Sequence, residues 1–226
     1  MTTTAPESIE QLIAAVETAD SAEKLVGAVR KLAARRSPLA IPPLMTVLRY
    51  NNPGAAVAAV DGLIQIGAPA IPHLLSQMDG FNYGARAWAT RACAEIGDPR
   101  ALDLLLEAAL TDFALSVRRA AAKGLGFLQW QSLSPEQQIT IQQTIYDALV
   151  KVVNDPEWVV RYAAIAGLEN LGKQILGYQG LVIEAITPLL KTETEAIVQE
   201  RIRWAIAVLM PESERVSWED NKSTAR

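Results

Sequence analysis

The stretch Val160-Arg161-Tyr162-Ala163-Ala164-Ile165-Ala166-Gly167-Leu168-Glu169-Asn170-Leu171-Gly172 decides the fold, because the chain repeats it. The same 13-residue template reads from Val117 to Gln129 (VRRAAAKGLGFLQ), from Ala85 to Gly97 (ARAWATRACAEIG) and from Ala55 to Gly67 (AAVAAVDGLIQIG). The second position is Arg161, Arg118 and Arg86 in three copies. The fourth and fifth are small or aromatic: Ala163-Ala164, Ala120-Ala121, Trp88-Ala89 and Ala58-Ala59. The eighth is always small (Gly167, Gly124, Ala92, Gly62), and the ninth is Leu168, Leu125, Cys93 or Leu63. Apolar residues at i, i+4 and i+8 line one stripe of a helix, and the small ones let a neighbouring helix come close. Three of the four copies end in glycine, which predicts a left-handed helix cap at each.

A second helical pattern precedes the first three copies along the chain: Ile41 to Leu48, Ile71 to Met78 and Ala101 to Leu110. Pro42, Pro72 and Pro99 lie near their starts, where proline sacrifices no amide donor. Each unit is therefore a helix pair. The spacing is 32 residues from Arg86 to Arg118 and 43 from Arg118 to Arg161. The longer step holds a loop at Trp130 to Ser134 and a first helix from Pro135 to about Asn154. A weaker fifth copy (Ile183 to Leu190, then Glu200 to Leu209) puts Arg203 in the arginine place. Ile9 to Thr18 and Ser21 to Ala34 form an N-terminal pair, with residues 1–34 as a helical cap. Ser8 or Glu7 begins its first helix, and Pro211 ends the last. The expected fold class is all-α, an α-solenoid of five to six HEAT-like helix pairs over 1–210, with a polar, disordered tail at 211–226.

Composition narrows function. The chain has 226 residues, 36 of them alanine, the best helix former. Its net charge is −4 and its pI about 5.2, which argues against a general nucleic-acid binder. One cysteine (Cys93) and one histidine (His73) leave no material for a disulfide framework or a multi-histidine metal centre. No apolar run approaches the roughly 20 residues that span a bilayer, and Met1 to Glu10 lacks the pattern of a signal peptide. The expectation is a cytosolic protein with no membrane insertion and no tightly bound cofactor.

Three stretches carry a more specific likeness: Tyr50-Asn51-Asn52-Pro53-Gly54-Ala55-Ala56-Val57; Phe81-Asn82-Tyr83-Gly84-Ala85-Arg86-Ala87-Trp88-Ala89 followed by Ile96-Gly97-Asp98-Pro99-Arg100-Ala101-Leu102-Asp103; and Asp112-Phe113-Ala114-Leu115-Ser116-Val117-Arg118-Arg119-Ala120-Ala121-Ala122-Lys123-Gly124-Leu125-Gly126. With them the chain resembles the HEAT-repeat bilin lyases of phycobilisomes, and among these the F-type subunits of heterodimeric phycocyanobilin lyases. The resemblance implies an E-type partner subunit, phycocyanobilin as substrate, and thioether attachment to a cysteine of the phycocyanin α-subunit. Some relatives also isomerise the bilin and carry a His-Cys pair near the place of Tyr83-Gly84. That pair is absent here, so ligation without isomerisation is expected.

A linear tetrapyrrole brings two propionates and a long π-system. Arginine forks suit the carboxylates, and aromatic or guanidinium faces suit the rings. Tyr83, Arg86, Trp88 and Arg91, with Phe81, supply both kinds of group in one repeat. Asp112, Arg118 and Arg119 hold the matching place in the next, and Trp158 and Tyr162 bracket Arg161 in a later one. Each has a plainer alternative. Arg86, Arg118, Arg161 and Arg203 suit an inter-repeat ladder with acidic or carbonyl groups. Arg91 and Arg119 suit a solvated face, and Trp88, Trp158 and Tyr162 suit packing. Cys93 stands in a leucine position and reads as core, and His73 reads as surface. Trp130 with its insertion, and Trp218 in the tail, are candidate docking features. A non-catalytic adaptor of phycobilisomes and a general protein scaffold are the competing functions.

Overall fold

The computed structural model describes residues 7–76 and 83–211. The expected contributions of Phe81, Trp218 and the disordered tail lie outside the described residues. Twelve α-helices follow one another with no strand among the described residues. They fall into six successive pairs: α1 (Ile9–Glu17) with α2 (Ala22–Ala33), α3 (Ile41–Val47) with α4 (Pro53–Ile66), α5 (Ile71–Leu75) with α6 (Tyr83–Ile96), α7 (Leu102–Thr111) with α8 (Leu115–Leu125), α9 (Pro135–Val152) with α10 (Trp158–Gln174), and α11 (Tyr178–Ile186) with α12 (Ala196–Leu209). The chain divides into two compact units between Leu104 and Leu105.

In the first unit the second helices form one layer, α2 on α4 and α4 on α6, while α3 packs on α5 in the other. Local chemistry sets the boundaries. Ser8 caps α1 in a reciprocal capping box with Gln11, and Ser21 and Asn52 cap α2 and α4. Pro42 and Pro72 stand in the first turns of α3 and α5, each preceded by a 3₁₀ turn (Pro38–Ala40 and Ala68–Ala70). Ala55, Ala56, Ala59, Val60 and Leu63 of α4 are buried, as the stripe predicts. Gly62 is required there: a Cβ would stand 2.6 Å from Cβ of Ala33. Arg100 ties this unit's repeats, donating to Ala68 O at 2.8 Å and to both oxygens of Asp98.

In the second unit α10 is the central helix, flanked by α8 and α12. Gly126 and Gly167 cross here at close range: a Cβ on Gly126 would fall 2.3 Å from Cα of Gly167. The capping box of α9, Ser134 with Gln137, accounts for its start at Pro135.

Three expectations are corrected. Gly172 does not cap α10, which continues to Gln174; its missing side chain makes room for Leu209 Cδ2, 3.0 Å from where a Cβ would be. Gly67 and Gly97 take positive φ, 76° and 71°, but Gly67, with ψ −138°, stands outside the left-handed helical region expected of its cap. The fifth copy runs in another register, because α12 starts at Ala196 and the place of Arg161 is held by Gln199, not Arg203. Trp130 is no docking feature: at 3% exposure it is core, the buried anchor of the α8–α9 connection in which it lies.

Candidate functional site

The arginine position of the repeat builds a ladder in the second unit. Arg118 donates from Nε and Nη2 to the two carboxylate oxygens of Asp155, at 2.7 and 3.2 Å. Its Nη1 reaches the carbonyls of Asp112 and Phe113. Arg161 repeats the pattern one step on, with Glu193 at 2.7 and 2.8 Å and the carbonyls of Asp155 and Pro156. Each acid also accepts the backbone N–H two residues ahead: Asp112 from Ala114, Asp155 from Glu157, Glu193 from Glu195. In the last copy Gln199 keeps the carbonyl bond, to Glu193 O at 2.7 Å. One fork thus fixes the entrance of two successive second helices.

These forks are spent inside the chain. Hydrogen bonding to Arg161, against the opposing effect of burial, holds the Glu193 carboxyl below its ordinary range. Arg161 and Arg118 are raised for the reciprocal reason. A cavity of about 290 Å³ opens beside the ladder, lined by Asp155, Arg161, Thr192, Glu193 and neighbours. Its charges already satisfy one another.

Outside the ladder, aromatic and basic side chains remain at the surface of α8, α10 and α12. Trp158 is 42% exposed and Tyr162 38%, one turn apart on α10. Arg119 is exposed on α8 beside Arg118. Lys123, a turn further on, stands 5.7 Å from the ring of Phe127. Trp204 of α12 is 62% exposed, and Arg201 lies 5.7 Å from the centre of the Tyr162 ring. Sequence reasoning missed Arg201 and Trp204 because it placed α12 in the wrong register.

In the first unit the four candidates of α6 form two pairs rather than one cluster. Arg86 stands over Tyr83 at 5.5 Å and Arg91 over Trp88 at 5.9 Å, each an i, i+3 contact. At 100° per residue Trp88 projects about 140° away from Tyr83 around the helix. All four are half-buried, while Ala85, Ala89, Ala92 and Cys93 fill the core side. Cys93 is fully buried, and its thiol is pushed up to about 12, by burial first and by Asp98 second. A neutral thiol in the core is no nucleophile. His73 is exposed on α5. Among the described residues no three acids, histidines or cysteines are grouped to hold a metal ion. No single described helix is long and apolar enough to cross a membrane.

Paired helices joined by a guanidinium–carboxylate ladder, with aromatic and basic side chains on the second helices, define a HEAT-type helical repeat protein. A model of HEAT repeats matches residues 71–141 and a model of the single repeat matches 145–175. The chain is 71% identical to the phycocyanin alpha phycocyanobilin lyase CpcF of Synechocystis, over 90% of its own length and 95% of the relative's. It is 47% identical to the phycocyanobilin lyase subunit beta of Nostoc, over 85% of its length and 96% of that protein's. A solved structure, the complex of CpcE and CpcF of phycocyanin lyase from Nostoc, matches 75% of this chain and 99% of its own matched chain, with TM-score 0.70 and 46% identity. The chain belongs to the F-type, or beta, subunits of the phycocyanobilin lyases.

Proposed function

We propose that this chain, together with an E-type subunit, forms a heterodimeric lyase that attaches phycocyanobilin through a thioether to a cysteine of the phycocyanin α-subunit. The observation that carries this reading is the high identity, across nearly the whole length, to a protein named for that reaction. The bilin is substrate, not resident cofactor, and the reaction belongs to the cytosol, where phycobilisomes are assembled.

The chemistry asks little of this chain in acids and bases. The S–H of the acceptor cysteine adds across the ethylidene double bond of the bilin: sulfur bonds the exocyclic carbon, the proton goes to the ring carbon, and nothing is oxidised or reduced. The acceptor brings the thiolate. Cys93 is buried with its thiol held neutral, and His73, the one histidine, is exposed on α5 in the first unit, so neither is assigned a general-base role. What the lyase contributes is position, which alone removes several kcal/mol of barrier when the reacting atoms are held in near-attack geometry. Trp158, Tyr162, Trp204 and Arg119 offer faces and charge for a flat dianion. Tyr83 with Arg86, and Trp88 with Arg91, offer the same pairing in the first unit.

The absence of a His-Cys pair at Tyr83-Gly84 supports ligation without isomerisation. The test is the absorbance of the product α-subunit after acid denaturation. A phycocyanobilin–cysteine spectrum, lost when the acceptor cysteine is replaced by serine, is the expected result. A phycoviolobilin-type spectrum would refute it.

A further inference from the structure

Position ten of the repeat is Ile64, Ala94 and Gly126 in the first three copies, and Glu169 in α10. That acid is almost fully buried on the face toward α12. Its Oε2 accepts Arg201 Nη2 at 2.5 Å and its Oε1 accepts Lys173 Nζ. One anion therefore meets two cations. Lys173 is half in solvent and screened by it, but the Arg201 side chain is only 13% exposed. The Nε of Arg201 is buried and has no hydrogen-bond partner. Native folds pair the great majority of buried polar donors, so this N–H is a donor open to a ligand or a water. The ring of Tyr162 lies over the same guanidinium at 5.7 Å. Trp158, one turn before Tyr162, and Trp204, three residues after Arg201, are exposed on either side.

We propose that Arg201 is a carboxylate subsite for a propionate of the linear tetrapyrrole, covered by Tyr162 until the bilin arrives. This rests on the lyase reading above. Glu169 takes Nη2 and so fixes the fork, leaving the Nε–H as the donor for the incoming carboxylate. Tyr162 turns aside and, with Trp158 and Trp204, gives the ring system its apolar contact. Glu169 and Lys173 are positioning residues that do not touch the substrate.

The experiment compares phycocyanobilin with its dimethyl ester, whose propionates cannot pair with arginine. Each is titrated by absorbance into the purified complex of this chain with its E-type subunit. The wild-type complex prefers the free acid about tenfold or more. Arg201→Lys keeps the charge, loses the Nε–H and brings the two affinities closer together. Glu169→Gln removes the competing anion and widens the preference. A wild-type complex that binds acid and ester alike, yet still transfers bilin to the α-subunit, overturns the subsite and leaves the lyase reading standing. So does an unchanged preference in both variants. A complex that neither binds nor transfers bilin overturns the lyase reading and this inference with it.

Discussion

Arg161 joins two repeats through Glu193, whose side chain is 6% exposed. Arg161→Ala leaves that carboxylate without its counterion and lowers stability by about 3 kcal/mol, read by denaturant unfolding. The pH dependence has a definite sign. The Glu193 carboxyl is depressed in the folded state, chiefly by the Arg161 hydrogen bonds. Its contribution is therefore present above the ordinary glutamate value of about 4.3 and is lost as pH falls through the folded value. Wild type and Glu193→Gln should keep a constant difference in melting temperature above about pH 5 and converge as pH falls below about 4.3 toward the lower folded value; parallel curves throughout would contradict the ladder. At this scale the sequence was legible where a template could be aligned. Arg118 and Arg161 carried both readings, and the geometry sides with the ladder. Cys93 in a leucine place and His73 on the surface were also legible. Arg201 was not, because its meaning depends on a contact with Glu169 across 32 residues that no local pattern marks. The one available signal was an acid at a position where the other copies carry Ile64, Ala94 and Gly126.

Helix contacts are set by glycines of two opposite kinds. A Cβ on Gly126 would enter the backbone of Gly167, and one on Gly167 would stand 2.8 Å from Ala122 O. Gly126→Ala must push α8 from α10 and should lower stability by about 1–3 kcal/mol. Gly27, exposed within α2, has nothing within 4 Å of its would-be Cβ. Gly27→Ala should raise stability by about 0.5–1 kcal/mol through helix propensity. The pair is measured by thermal or urea unfolding, and equal signs would contradict the packing described. Periodicity located most helices, since a buried stripe repeats in the sequence itself. It failed at Gly172, where close approach of Leu209 and not a chain turn demands glycine. It failed again at α11 and α12, where the arginine that anchors the register is replaced by Gln199. Trp130 misled because an aromatic beside an insertion reads as surface, while the α8–α9 connection folds it into the core.

At the scale of the molecule, the described residues form six successive helix pairs, and each of the two compact units presents candidate groups: Tyr83, Arg86, Trp88 and Arg91 in the first, and Trp158, Tyr162, Arg201 and Trp204 in the second. The fold class followed from the repeat. The family followed from the Tyr83 to Ala89 block and its neighbours, because helix periodicity alone says nothing of a pigment. The central claim is that this chain is an obligate half of a bilin lyase. The most direct measurement is co-expression of this chain, an E-type subunit and the phycocyanin α-subunit in a host that makes phycocyanobilin, with each lyase chain omitted in turn. Covalent chromophore is read by absorbance and by zinc-enhanced fluorescence of the denatured α-subunit. Chromophore is expected on the acceptor cysteine only when both lyase chains are present. Equal chromophore without this chain would contradict it and move the protein to a non-catalytic role on phycobilisomes.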